Sequence, residues 1–245
     1  MINKGLFLDL DNTILDSKGA YNYSLSMISK FWKKEFKEDD FLEQFEEVKK
    51  EIKKRLQFLP YHRSRLIVFK EIIDKKQLKL NSKLLLKLEY LYFYNFIQYI
   101  NIYKKGNKNK YKILFKILNQ LEKTTKIYLL TNESLRTQLI KTKQFIPPKL
   151  YLNLITSEEV GKEKPSIEYF TFAIEKSKIS RENLTMIGDS LEDDIIGAIN
   201  SDIKAIQVKS VFGTNSYEIG NINSTTFPIF GNIIQALEFY IALKN

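Results

Sequence analysis

Between Lys110 and Val208 the chain alternates helical spacing with short apolar runs, and this order constrains the fold more than any other feature. The spacing predicts helices over about 110–123, 134–144, 166–177 and 193–201, and strands at Lys126–Leu130, Leu150–Ile155, Leu184–Ile187 and Ala205–Val208. Pro147-Pro148 closes the second helix, and Pro165 stands where a helix start tolerates proline. An earlier run, Gly5-Leu6-Phe7-Leu8-Asp9-Leu10, also suits a buried strand. Repeated strand-then-helix order implies a parallel sheet covered on both faces, whose ligands sit at the carboxyl ends of the strands.

From about Tyr21 to Tyr103 the alternation is lost. Apolar residues recur at helical spacing, Phe41, Phe45, Val48 and Ile52, then Leu66, Phe69, Ile72 and Ile73, with hardly a Gly or Pro apart from Pro60. That block reads as an all-helical insert. Its most apolar window, Tyr90–Ile100, is shorter than the ~20 residues that cross a bilayer. With Asn95, Gln98 and several Tyr hydroxyls, it predicts an amphipathic helix packed in the insert or against the main domain. The basic run Lys104–Lys110 reads as an exposed loop and helix start.

What the chain lacks narrows its chemistry. The 245 residues include no Cys and a single His, which excludes a disulfide scaffold, a thiolate zinc site, an iron–sulfur cluster, a cysteine nucleophile and any multi-histidine metal site. Carboxylates, hydroxyls, Lys and Arg remain, and any metal among them should be a hard cation such as Mg²⁺. Three predicted strands end in such groups: Asp9 and Asp11, then Thr131 and Asn132, then Asp189 with Asp193 and Asp194. Carboxylates drawn into one crevice repel, so their full ionisation requires a cation. A carboxylate nucleophile, a second acid two residues on, a hydroxyl and a Lys make up the inventory for phosphate-monoester hydrolysis through an aspartyl phosphate.

These residues carry a resemblance. Asp9-Leu10-Asp11-Asn12-Thr13-Ile14-Leu15-Asp16 resembles the first motif of the haloacid dehalogenase superfamily, the phosphatase form with two acids. Leu130-Thr131-Asn132 resembles the second, Lys164-Pro165 the third, and the stretch from Gly188-Asp189 to Gly197-Ala198 the fourth, in family order and spacing. The resemblance implies an α/β fold: a Rossmann-like, doubly wound parallel sheet core over 1–16 and 108–245, with an inserted all-helical cap over 17–107. It implies that Asp9 is the nucleophile and a Mg²⁺ ligand, and that Asp11 is the general acid/base whose backbone carbonyl reaches the metal. It further implies that Thr131 and the backbone of Asn132 hold the phosphoryl oxygens, that Lys164 rather than Lys162 neutralises nucleophile and phosphate, and that Asp189 completes the metal site. Asp194 supports that site, with Asp193 as a rival at the neighbouring spacing.

Asp11 supplies the proton that an alkoxide leaving group needs, which separates this chain from dehalogenases and phosphonatases, similar proteins with a non-acid there. The reading is therefore a Mg²⁺-dependent phosphatase acting on a small phosphorylated metabolite. The alternatives are a phosphoryl-transfer mutase resembling β-phosphoglucomutase and a catalytically idle binding protein on the same fold. A large C1-type cap should exclude macromolecules, and the net charge of +10 is spread diffusely, so no nucleic-acid partner is expected. In the cap, Arg63 and Arg65, beside His62, are candidates to bind a substrate phosphate or carboxylate; the alternative is a helix start with surface Arg and a satisfied His. Without a signal-like N-terminus or a membrane segment, the expectation is a cytoplasmic monomer or homodimer.

Overall fold

The computed structural model describes residues 3–56, 59–79, 81–143, 145–147 and 153–243. Strand β1 (Gly5–Asp9) is buried at every position and lies third in a seven-stranded sheet, within its parallel part. On one side it pairs in parallel with β2 (Lys126–Thr131), which pairs with β3 (Leu154–Thr156); on the other it pairs with β4 (Leu184–Gly188), followed by β5 (Lys204–Val208). The chain thus runs outward from β1 and returns to its opposite flank at β4. That reversal opens a crevice at the carboxyl ends of β1 and β4, where open α/β sheets bind ligands.

The period of two along the strands divides the core between the faces. Leu6 and Leu8 point to one side, with Leu129, Ile187, helix α5 (Lys108–Leu121) and the helix at Ile233–Ala242. Phe7 points to the other, against Tyr128, Met186 and Tyr169, Phe170 and Ala173 of the helix at Ile167–Ser177. Both faces are covered, as the strand–helix alternation requires.

Two features differ from the sequence-based expectation. The sheet continues past β5 into a hairpin of β6 (Phe212–Ile222) and β7 (Thr225–Asn232); β7 pairs in parallel with β5, and β6 forms an antiparallel edge. The basic run at 104–110 is no loop, because Lys104–Gly106 ends α4 (Ser82–Gly106), Asn107 is the junction, and α5 begins at Lys108. Lysines in the last turn of α4 face its negative pole, which favours the helix there. Of the strand expected over 150–155, residues 150–152 lie outside the described residues and Leu154–Thr156 is the strand found.

Between β1 and α5 lie α1 (Ser17–Phe36), α2 (Phe41–Arg55), α3 (Arg65–Lys75) and α4, with a 3-10 turn at Pro60–Arg63. Phe41, Phe45, Val48 and Ile52 of α2 are all buried in a third apolar cluster with Trp32, Phe69, Ile72, Ile73 and Tyr92. The apolar window of α4 is divided: Leu88, Tyr92 and Phe93 enter this cluster, whereas Phe96 and Ile100 enter the core beside β1. Helix α1 does the same through Ile28 and Trp32 at one end and Ala20 at the other. Among the described residues, no helix is long and apolar enough to cross a membrane.

Candidate active site

Asp9 is the last residue of β1, and the chain turns at once. Asn12 adopts φ 62°, a left-handed conformation that Asn tolerates, and its side chain accepts from the Lys18 backbone N–H at 2.8 Å, tying the turn to α1. Thr131 ends β2, its N–H donating to the Tyr169 hydroxyl at 2.9 Å. Asp189 follows β4, and a π-helical turn at Leu191–Ile196 then brings Asp194 back under it. The helix expected over 193–201 therefore starts earlier and wider, a distortion common at functional sites. Gly188 is required here: a Cβ would collide with the Asp194 carboxylate.

Lys164 joins these ends. Its ammonium donates to Asp9 Oδ1 at 2.7 Å, Asp194 Oδ1 at 2.6 Å and the Leu130 carbonyl at 3.2 Å, while the exposed Lys162 stays outside. The Asn132 side chain clamps the Lys164 backbone from both sides, accepting from its N–H at 2.7 Å and donating to its carbonyl at 2.8 Å. Burial alone would lower the lysine pKa, but Asp194 and Asp9 outweigh it and hold Lys164 charged.

Carboxylate oxygens of Asp9, Asp189 and Asp194 lie within 4.8 Å of one another. Burial pushes the Asp9 carboxyl well above its ordinary range against the pull of Lys164; burial and Asp194 push Asp189 up to about 7. Asp9 Oδ2 is buried without a hydrogen-bond partner. Crowded carboxylates, one with an orphaned oxygen, suit a hard divalent cation with oxygen ligands. Asp194, not Asp193, belongs to this group. The Asp11 carboxylate stands outside this group but in the wall of the same cavity, accepting from Ser17 Oγ, from Lys141 Nζ at 2.7 Å and from Gln138 Nε2 at 2.8 Å. Although burial opposes it, Lys141 foremost holds Asp11 below the usual carboxylate range. Gln138 also donates to Thr131 Oγ1, so one amide links the second motif to the first.

A cavity of about 290 Å³ opens above this floor, with Asp9, Asp11, Asn132, Lys164 and Asp189 in its walls and Arg63 at the insert side. Residues 3–202 match the haloacid dehalogenase-like hydrolase family. The chain belongs to that family. Human N-acylneuraminate-9-phosphatase is 24% identical over 210 residues, covering 82% of this chain and 80% of that protein. The fold is shared with a 2-haloacid dehalogenase from Pseudomonas syringae pv. Tomato DC3000, TM-score 0.69 at 16% identity over 99% of this chain and 100% of that one. A HAD phosphatase from Thermococcus onnurineus gives TM-score 0.62 at 18% identity, covering 97% of each chain.

On this hydrolase scaffold the two cap arginines are not surface residues. Arg63 donates to Glu163 at 2.6 and 3.2 Å, and His62, the satisfied histidine, contacts the same carboxylate at 3.0 Å. Insert and core are thereby clamped one residue from Lys164. Arg65 is partly buried, donating to the Tyr92 hydroxyl at 2.9 Å and the Arg63 carbonyl at 2.6 Å, above the rings of Tyr21 and Tyr92. It lines a neighbouring cavity and not the one over Asp9.

Glu163, Lys141 and Gln138 also belong to the site, although no motif in the sequence singles them out. In α6 (Leu135–Thr142) Leu135 and Leu139 are exposed whereas Gln138 and Lys141 are completely buried, the reverse of what the apolar residues suggest, so no sequence signal marks the last two. Polar residues on the inward face of a helix mark a polar neighbour, here Asp11. For Glu163, burial raises the carboxyl pKa, but His62 and Arg63 outweigh it, so the net shift is downward. A lowered folded pKa stabilises above the ordinary glutamate range and is lost as pH falls through it. Glu163→Gln is expected to cost about 1–3 kcal/mol at pH 7. In urea titrations the deficit should shrink as pH falls below the glutamate range; a deficit that stays constant with pH would contradict the ion pair.

Proposed function

We propose that this chain is a Mg²⁺-dependent phosphatase of small phosphorylated metabolites, working through a phosphorylated Asp9. The observation that carries the reading is the Asp9 carboxylate at the cavity floor, with Oδ1 held by Lys164 and Oδ2 without a partner. A carboxylate oxygen so placed attacks phosphorus, and the bond from phosphorus to the leaving oxygen breaks. Asp11 donates the proton to that oxygen, then takes one from the water that attacks the aspartyl phosphate, releasing inorganic phosphate and restoring Asp9. Asp11 is ionised in the ligand-free protein; an entering phosphate dianion opposes Lys141 and favours its protonation.

In this reading Lys164, in the cavity wall, and the hydroxyl of Thr131, buried behind it, would hold the equatorial oxygens and spread their charge. Asp9, Asp189 and Asp194 would hold the cation, with Asp11 contributing its backbone carbonyl, and the bound ion would neutralise charge developing on the phosphoryl group. Asp11 is the feature that favours phosphate esters over haloacids, and N-acylneuraminate-9-phosphatase is a relative that agrees with it.

The test is phosphate release from p-nitrophenyl phosphate and a panel of sugar phosphates. Turnover is expected with Mg²⁺, to fall to background in EDTA and to return with excess Mg²⁺. Release unaffected by EDTA would overturn the metal requirement, and no release from any ester would overturn the phosphatase reading.

A further inference from the structure

Beside the cavity over Asp9 lies a second one of about 400 Å³, between the first turn of α1, α2 and the Pro60–Arg63 turn. The two share Asn12, Tyr21, Arg63 and Glu133 in their walls, so a phosphoryl group on Asp9 would project its leaving group into the second. That second cavity is basic. Lys18, Lys49, Lys53, Arg63 and Arg65 line it, against the carboxylates of Glu46 and Glu133. Several of these charges are already matched: Arg63 by Glu163, Lys49 by Glu46 at 3.4 Å, and Arg65 by Glu133 at 4.0 Å. Among the described residues, Lys18 and Lys53 take part in no ion pair.

Lys49 and Lys53 stand four residues apart on one face of α2, a spacing at which like charges destabilise a helix. Lys18 adds a third charge from α1. Tyr92 of α4 and Phe45, one turn before Lys49 on α2, add buried aromatic surface to the wall. A cavity with two unmatched ammonium groups over an aromatic wall suits a ligand that carries an anion on a carbon skeleton.

We propose that the leaving group carries its own anionic group, a carboxylate or a second phosphate, bound by Lys18 and Lys53. This rests on the phosphatase reading and adds the substrate class to it. The phosphoryl end is anchored at Asp9 and Lys164 and the far anion between α1 and α2, so the substrate bridges core and insert.

The experiment compares kcat/KM for glucose 6-phosphate, whose leaving group is neutral, with 6-phosphogluconate, which adds a carboxylate, and fructose 1,6-bisphosphate, which adds a phosphate. Acetyl phosphate, too small to reach the second cavity, reports the core chemistry alone. At least one anionic substrate is expected to exceed glucose 6-phosphate by about 10-fold or more, the range for hydrogen bonds to charged groups. Which one does so distinguishes carboxylate from phosphate. In the double variant Lys18→Gln, Lys53→Gln that ratio should fall toward one, chiefly through KM; both side chains are exposed, so folding is retained. Acetyl phosphate turnover with no preference for either anion, or a preference that survives in the double variant, overturns this inference alone. Failure to hydrolyse even acetyl phosphate overturns the phosphatase reading beneath it.

Discussion

Asp9→Asn is expected to remove phosphatase turnover while leaving the fold intact. An amide cannot form the acyl phosphate, and loss of a covalent nucleophile costs roughly 10⁴- to 10⁶-fold in kcat. Stability should behave differently. Burial raises the Asp9 pKa against the pull of Lys164, and Asp194 and Asp189 raise it further, so removing its charge relieves both desolvation and repulsion. Lys164 keeps Asp194 and the Leu130 carbonyl as acceptors. Melting followed by circular dichroism should therefore give a midpoint no lower than that of the wild type in chelator. Turnover above about a hundredth of wild type would place the nucleophile elsewhere.

Lys164→Met should damage both properties. The side chain is 2% exposed, and its ammonium is the only cation in an ion pair with either Asp9 or Asp194 among the described residues, so its loss leaves two buried carboxylates face to face. Breaking a buried pair in this way costs about 3–5 kcal/mol. Losing a charge that stabilises the transferring phosphoryl group costs on the order of 10²- to 10³-fold in rate. A divalent cation can take over part of the charge compensation, so Mg²⁺ should raise the melting point of this variant more than that of the wild type. Lys162→Met, two residues away and exposed, is the control with near wild-type behaviour. Equal stability of Lys164→Met and wild type in EDTA would show that the bridge in Asp9–Lys164–Asp194 contributes nothing.

The residues visible in the sequence are those that central parallel strands deliver. A strand buried on both faces reads as an unbroken apolar run, so polar residues stand out where it ends, as at Asp9, Thr131 and Asp189. What the sequence concealed depends on contacts without a local pattern. Glu163 meets His62 and Arg63 from about 100 positions away. The final hairpin is hidden for a different reason: its turn, Asn223-Ser224, takes positive φ at both residues without the glycine that usually marks such a turn. The basic junction misled because a cluster of lysines looks like solvated loop, although one residue, Asn107, suffices to join two helices.

Helices α1 and α4 each bury residues in two apolar clusters, one beside β1 and one within the insert. The insert is consequently not a cassette that can be exchanged at its loops. A graft that replaces 17–107 with a foreign cap would remove Ala20, Phe96 and Ile100 from around the strand bearing Asp9, leaving holes in the sheet's own core. Chimeras that swap specificity between relatives should be spliced midway along these two helices, between Ala20 and Ile28 and between Phe93 and Phe96, so that each half keeps its native packing.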